Sequence, residues 1–211
     1  MRNMIDALQW RYATKVFDAN KKLTAEQSDL LLEAVRLSPS SFGIQPWRVI
    51  VVTNPEIRER LRQAGYGQPQ ITDASHLIVF VTKKNLSDSD VDEFIALTAN
   101  TRGVSASGLE GYGGMIKQSL SGKSEEKRIE WASRQAYVAL GVLLAIAAHE
   151  GIDACPMEGF DPSAFDEILG LSEKGLTTCV VATVGFRSEA DQTARFPKVR
   201  FSQEELIKKV E

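Results

Sequence analysis

One helical segment without a polar face constrains the fold of this chain more than any other part of its sequence. Residues 124–150 carry a helical pattern, and the run 136–148 (AYVALGVLLAIAA) is apolar on every side, so this helix must be buried all round. Thirteen residues are too few to cross a bilayer, which needs roughly 20. The run predicts an interface with the same helix of a second copy, with the central helix of a monomer as the alternative.

The composition is that of an ordinary globular protein, with 43% hydrophobic and 25% charged residues. The length of 211 residues favours a single domain over 1–211. A net charge of -3 excludes a global attraction to nucleic acid or to anionic lipid, so any anion site must be local. The first 17 residues carry charges and no apolar run of the signal-peptide type, and we therefore expect a cytoplasmic protein.

The remaining pattern alternates helices with short apolar strands. Strands are predicted at 47–53, 76–82 and 177–185, and their continuous apolar character suits strands that helices cover on both faces. Thr24 and Gln27 form a capping box that begins a helix ending at Ser38-Pro39, and the turn-rich stretch 38–46 is a loop. A helical excursion is expected at about 88–123, interrupted by a mobile stretch because it contains five glycines between 103 and 114.

Metal, hydrolytic and nucleotide-loop chemistries find little support in the sequence. Two distant cysteines, interpreted as reduced and buried, and two histidines are too few for a structural zinc site. The glycines at 111–114 lack the spacing of dinucleotide-binding or P-loop motifs, and neither histidine lies in a nucleophile motif. A chain of this kind that is an enzyme therefore takes its chemistry from an organic cofactor.

Two local features could bind such a cofactor. Arg11, Lys198 and Arg200 would form a phosphate pocket if the fold brought them together, although short basic clusters are usually solvated surface. The segment 156–160 (PMEGF) is either an edge strand and turn, with Glu158 exposed and Gly159 at an unusual φ, or a place where a backbone N–H meets a flat ligand.

Five segments, taken in order, resemble the FMN-dependent nitroreductase family, in particular its oxygen-insensitive NAD(P)H nitroreductase and dihydropteridine reductase branch. They are RYATKVFDANKKLT, LSPSSFGIQPW, TDASHLIVF, CPMEGFD and FPKVRF. The resemblance as a whole covers the chain from about residue 4 to residue 201. The resemblance implies an α+β fold with a central mixed β-sheet flanked by helices. It also implies a homodimer in which the long helix lies at the interface together with two FMN molecules.

The resemblance also implies roles for individual residues. Arg11, Lys198 and Arg200 would bind the FMN phosphate, Tyr12 and Ala13 would contribute backbone contacts near the ribityl chain, and Lys15 would lie beside the pyrimidine edge and stabilise the reduced, anionic flavin. The other implied FMN-binding residues are the loop residues Pro39, Ser40, Ser41 and Gly43, which reach the flavin of the other subunit; Gln135 on the long helix; one of Gln68 and Gln70 at the flavin ring; and Pro156, Met157, Glu158 and Gly159, whose segment meets flavin N5.

The function that this resemblance implies is a ping-pong oxidoreductase. NAD(P)H would pass hydride to flavin N5 and leave, and a nitroaromatic, a quinone or a similar flat acceptor would then take the electrons, with no catalytic side-chain acid and no metal. Two alternatives remain at this point. One is a flavin-binding sensor or storage protein without reductase turnover, and the other is an α/β interaction module without a cofactor.

Overall fold

Four strands form the sheet at the centre of the fold. They are β1 (Trp47–Val52), β2 (His76–Lys83), β3 (Asp153–Met157) and β4 (Leu176–Gly185), in the spatial order β1-β2-β4-β3. The computed structural model describes residues 3–210, and within them every pairing of this sheet is antiparallel. Val79 of β2 lies opposite Val181 of β4 at the middle of the sheet.

Strand direction is the part of the predicted sheet that needs correction. A mixed sheet was expected, whereas parallel pairing among residues 3–210 is found only at an isolated bridge between Ala13 and Ala154. Continuous apolar character reports that both faces of a strand are covered, and it carries no information about the direction of the neighbouring strand. The covering itself agrees with the prediction, because helices pack on both faces.

Nine α-helices surround the sheet within residues 3–210. They are α1 (Met4–Trp10), α2 (Ala25–Arg36), α3 (Pro55–Ala64), α4 (Gln70–Asp73), α5 (Asp88–Arg102), α6 (Glu110–Ser121), α7 (Glu125–His149), α8 (Pro162–Ile168) and α9 (Gln203–Leu206). The predicted capping box at the start of α2 is present, with Thr24 and Gln27 each bonding the other's backbone N–H. Asn54 caps α3, whose first residue is Pro55.

The core has two halves, one on each face of the sheet. On one face α7 places Leu140 and Leu143 against Phe80 of β2, and α2 adds Leu31 to the same cluster. On the other face α3, α4 and α8 cover the sheet with a second apolar cluster that includes Phe165. The sheet is therefore a buried central layer, as its apolar strands predict.

Within a single chain one face of α7 is open, so the predicted burial of this helix all round would need a second copy to cover that face. Tyr137 is 40% exposed and Val138 is 43% exposed, and Gly141 lies on the same exposed face. The whole helix has 25 residues and, within the part of the chain described, is long and apolar enough by length and composition to cross a membrane. That criterion is weak for a single helix, because core helices also meet it. Within the chain α7 also packs against the sheet and against α1 and α2, so both alternatives for its apolar run stay predictions.

The excursion between β2 and α7 is more regular than expected. The helical break falls at 103–109, where Gly103 ends α5 in the left-handed conformation (φ 65°), while Gly111, Gly113 and Gly114 lie inside α6. A Cβ on Gly113 would approach Ile95 of α5 to 3.2 Å, so this glycine permits the close packing of the two helices. Composition alone could not distinguish glycines that break a helix from one that allows close contact.

Both cysteines are free thiols, as expected, but only one is fully buried. Cys155 in β3 is buried and Cys179 in β4 is half-buried. Burial raises the pKa of both thiols, since a low-polarity environment disfavours the thiolate. Neither has the properties of a reactive nucleophile, which agrees with the absence of a nucleophile motif from the sequence.

Candidate functional site

A basic pocket joins the two ends of the sequence. The chain that leaves α1 and the segment around 193–200 enclose a cavity of about 350 Å³. Arg11, Tyr12, Ala13, Lys198 and Arg200 all line it, and the Lys198 ammonium donates a hydrogen bond to the backbone carbonyl of Arg11. The fold thus brings together the three basic residues that the sequence placed in one candidate site.

The three cations in this pocket have no acidic partner. Within residues 3–210 no carboxylate forms an ion pair with any of them. Burial and the charge of Arg200 lower the pKa of Arg11, and burial together with Arg11 and Arg200 lowers the pKa of Lys198. The Arg11 Nε atom is buried and has no hydrogen-bond partner. Clustered cations with an unused donor fit an anionic group such as a phosphate monoester.

Asp191 holds together the segments that line this pocket, although no motif in the sequence marks it as a site residue. Its carboxylate accepts hydrogen bonds from the backbone N–H groups of Lys15 (2.9 Å), Val16 (3.2 Å) and Thr193 (3.0 Å), and from the Tyr12 hydroxyl (2.8 Å). Burial raises the pKa of Asp191, but these donors outweigh burial and hold the pKa below its usual value. The sequence shows Asp191 only as a cap for the turn 192–195, because its other partners are about 175 residues away.

The residues that follow Ala13 run alongside β3. Thr14 donates its backbone N–H to the carbonyl of Ala154 at 3.3 Å, next to the parallel bridge between Ala13 and Ala154. Because the pairing is parallel, the chain runs from Arg11 in the direction of Met157. The exposed Lys15 lies close enough to Cys155 for its charge to oppose the burial that raises the pKa of that thiol. The segment that leaves the basic pocket therefore runs along β3.

The turn after β3 presents two free donors. Pro156 is half-buried and Met157 buried, whereas Glu158 and Gly159 are exposed. The Phe160 N–H donates to the Glu158 carbonyl at 3.0 Å, which makes a γ-turn centred on Gly159. Within residues 3–210 the N–H groups of Glu158 and Gly159 donate to no acceptor. The segment is thus an edge strand and turn, as one reading of the sequence has it, and it also offers backbone donors at an open surface.

Gly159 has no backbone requirement for glycine. Its φ is not positive, so the unusual φ considered for this position is not found. A Cβ built there would meet only the Gln68 side-chain nitrogen, at 3.6 Å, which is an ordinary contact. A side chain would instead occupy the open space beside the turn. The glycine therefore leaves room for a ligand to approach the backbone closely.

Two side chains hold this turn from either side. The Gln68 amide nitrogen donates to the carbonyls of Gly159 (2.6 Å) and Gly65 (2.9 Å), and the Tyr137 hydroxyl donates to the Glu158 carboxylate. Burial and the hydrogen bond to Glu158 raise the pKa of Tyr137. Of the two predicted glutamines, the structure brings only Gln68 to the turn. Gln70 is buried in α4, and its side-chain oxygen has no partner.

The serine-rich loop forms a separate group with Gln135. The backbone N–H of Ser41 donates to the Gln135 side chain at 2.8 Å, and Ser40 accepts from the N–H of Gln45. Pro39, Ser41 and Gly43 are exposed in this loop. Within the described residues, no hydrogen bond or ion pair joins this group to the basic pocket or to the turn after β3. The resemblance assigns this loop to the flavin of the other subunit, so a separation within one chain is expected.

Comparison with known proteins identifies the family of this chain. The family model described as Nitroreductase family matches residues 8–186. This chain belongs to the nitroreductase family. An oxygen-insensitive NAD(P)H nitroreductase of Salmonella typhimurium is 35% identical over an alignment of 218 positions. The alignment covers 97% of this chain and 97% of that protein. The predicted family is therefore confirmed.

Solved structures of the same fold confirm the predicted α+β, nitroreductase-like architecture. A nitroreductase-like protein from Streptococcus mutans superposes with a TM-score of 0.85 at 24% identity, covering 98% of each chain. A protein from Exiguobacterium sibiricum, solved in complex with FMN, superposes with a TM-score of 0.83 at 19% identity, covering 100% of this chain and 98% of that one. At these identities the likeness is one of fold.

Replacing Asp191 by Asn should destabilise the fold by about 2–3 kcal/mol at pH 7. The Asn side chain has an NH2 group in place of one carboxylate oxygen, and that group cannot accept hydrogen bonds from backbone N–H groups such as those of Lys15 and Val16. The lowered pKa of Asp191 means that its contribution is complete above the unfolded-state pKa, near 3.9, and is lost as pH falls through the lower folded-state pKa. Urea unfolding of both proteins should therefore show a difference that shrinks below about pH 4. Asp29→Asn, at an exposed position of α2, is the control. An equal loss in both variants would contradict the anchoring role.

Proposed function

We propose that this nitroreductase-family chain is an FMN-dependent oxidoreductase that takes hydride from NAD(P)H and delivers electrons to flat oxidised acceptors by a ping-pong mechanism. The observation that carries this proposal is the pocket that collects Arg11, Lys198 and Arg200, from which the chain runs beside β3, the strand that ends at the free backbone donors of Glu158 and Gly159. FMN carries a terminal phosphate on a flexible chain and a flat ring with hydrogen-bond acceptors, and these two parts match the two parts of the site.

Each part of the site has a distinct task in this proposal. Arg11, Lys198 and Arg200 would hold the phosphate, and the backbone of Tyr12 and Ala13 would lie beside the ribityl chain. Asp191 holds this segment through the Tyr12 hydroxyl and the Lys15 N–H. Lys15 would present its charge at the pyrimidine edge, and the segment Pro156–Gly159 would present the backbone N–H groups of Glu158 and Gly159 to N5. Pro39, Ser40, Ser41, Gly43 and Gln135 contact the flavin bound by the other subunit. Gln70, buried in α4, supports the helix behind this region.

The protein contributes position and electrostatics, and the cofactor contributes the redox chemistry. Bound FMN supplies a site that accepts hydride from a nicotinamide and returns electrons to an acceptor. The turn at Gly159 keeps side chains away from the ring, so a flat donor and a flat acceptor can use the same open face in succession. The Salmonella relative is named an NAD(P)H nitroreductase, and we extend nitroaromatics, quinones and similar compounds to this chain as acceptors.

A homodimer completes the proposed site. The open face of α7 carries Tyr137 and Val138, and the segment after residue 195 exposes Phe196, Val199 and Phe201 at 70% or more. Apolar surface of this extent normally meets another protein surface. A second copy covers the open face of α7 and brings its serine-rich loop to the flavin of its partner. The excursion at about 88–123 remains part of the single domain over 1–211.

The free thiols are consistent with a cytoplasmic location, which we also propose. Cytosolic reductants keep cysteines in the thiol form, and the same compartment holds the reduced nicotinamide that the reaction consumes. No catalytic metal is needed, and no cluster of three or more metal-ligating side chains occurs among the residues described.

The visible absorption spectrum of the purified protein tests the proposed function directly. We expect a yellow protein whose flavin bands bleach on anaerobic addition of NADPH or NADH and return when menadione or nitrofurazone is added. A yellow protein that neither donor bleaches would support the sensor or storage alternative. A colourless protein that also takes up no added FMN would contradict the proposal.

The phosphate assignment predicts a selective loss of FMN. Lys198→Ala combined with Arg200→Ala removes two charge-assisted contacts, so the FMN dissociation constant should rise by at least about a hundredfold while the circular dichroism spectrum stays unchanged. Lys208→Ala combined with Lys209→Ala makes the same charge change at exposed positions and should leave FMN affinity unchanged. Wild-type affinity in the first variant would refute the assignment.

If the proposed dimer forms through the open face of α7, a charged residue placed on that face should separate the subunits. Light scattering of the wild-type protein should give twice the 23.3 kDa mass of the chain. Val138→Arg should give a species of single-chain mass with reduced FMN affinity, because burial of an unpaired charge at an interface is costly. Val138→Ala should remain dimeric. A wild-type protein of single-chain mass would overturn this part of the proposal.

A further inference from the structure

A chain of hydrogen bonds ends at the free N–H of Gly159. The Gln68 amide nitrogen donates to the Gly159 carbonyl at 2.6 Å. That carbonyl belongs to the same peptide unit as the Phe160 N–H, which donates to the Glu158 carbonyl at 3.0 Å. The Glu158 carbonyl in turn shares its peptide unit with the Gly159 N–H, which has no acceptor within residues 3–210. Three donors therefore follow one another in a single direction.

Hydrogen bonds arranged in this way strengthen one another. When a peptide carbonyl accepts a hydrogen bond, the N–H of the same unit becomes a better donor, by about 10–30% per bond. Two peptide units in succession pass this polarisation from Gln68 to Gly159. The orientation of the Gln68 amide is fixed by chemistry, since both of its partners, Gly159 and Gly65, are carbonyls that can only accept.

We propose that Gln68 is a positioning residue that acts through the turn: it sets the donor strength of the Gly159 N–H and does not act as a ligand of the flavin ring. This inference rests on the proposed function, in which that N–H faces flavin N5. It differs from the role that the family resemblance assigns to Gln68. The Gly159 N–H is then a polarised donor toward the atom that receives the hydride, and it is already in place before the cofactor binds.

The turn has independent supports that hold it when Gln68 changes. The Tyr137 hydroxyl bonds the Glu158 carboxylate from α7, and the buried Phe160 packs against Phe165 of α8 with ring centroids 4.7 Å apart. Replacement of Gln68 should therefore remove the first donor of the chain and leave the backbone of the turn where it is. This separation between donor strength and position makes the inference testable.

Gln68→Met keeps the length of the side chain and removes its donor. In amide NMR spectra of the flavin-free full chain, we expect the Phe160 and Gly159 N–H protons to move upfield. The FMN dissociation constant should rise about 2- to 10-fold, the loss expected for one weakened hydrogen bond. Gln63→Met, at an exposed position of α3, is the matched control and should change neither quantity.

Gln68→Glu is the second variant, for use if the methionine protein folds poorly. At neutral pH its carboxylate cannot donate to the Gly159 carbonyl, so the same two resonances must move in the same direction. Unchanged resonances in a folded variant that binds FMN more weakly would show direct contact of Gln68 with the flavin and overturn the inference. Unchanged resonances with unchanged affinity would overturn it as well. A wild-type chain that binds no FMN would refute the proposed function, while the NMR comparison would still test the hydrogen-bond chain.

Discussion

The packing of α7 against the sheet is the constraint on which the other features depend. Its inner face buries Leu140 and Leu143 in the core beneath β2, so the helix cannot shift without opening that core. Two side chains of α7 bind neighbouring segments. Gln135 accepts a hydrogen bond from the serine-rich loop, and Tyr137 donates one to the turn after β3. One helix thus positions the serine-rich loop and the turn after β3, which no hydrogen bond joins directly within residues 3–210, and its remaining face is open.

The basic pocket, unlike the packing of α7, lowers the stability of the fold until an anion binds in it. Burial and the charge of Arg200 lower the pKa of Arg11, and burial with the charges of both arginines lowers the pKa of Lys198. The Arg11 Nε atom is also buried without an acceptor. The four hydrogen bonds that Asp191 accepts offset part of this cost by fixing the backbone around the pocket. A bound phosphate would remove the repulsion and supply the missing acceptor, so ligand binding and stability should be coupled.

Features with local causes could be read from the sequence, and features with distant causes could not. The capping box at Thr24, the start of α3 at Pro55 and the apolar strands depend on neighbouring residues, and the structure has all of them. The convergence of Arg11 with Lys198 and Arg200 was anticipated through the family resemblance, since no spacing rule joins residues so far apart. The roles of Asp191 and Tyr137 could not be predicted from the sequence, because each depends on hydrogen bonds to residues that are distant along the chain. Strand direction and the open face of α7 depend on tertiary packing in the same way.

The bridge between the two ends of the sequence also determines when the site can exist. Tyr12, Lys15 and Val16 stay without the Asp191 carboxylate until about 175 further residues have been synthesised, and the phosphate pocket needs Lys198 and Arg200 in addition. Contacts of such long sequence separation form late, since the closure entropy of the loop must be overcome first. The sheet and α7 can assemble while the nascent chain is still unable to bind the cofactor. Flavin binding through this pocket therefore requires a chain that extends at least through Arg200, whereas the core can form from a shorter one.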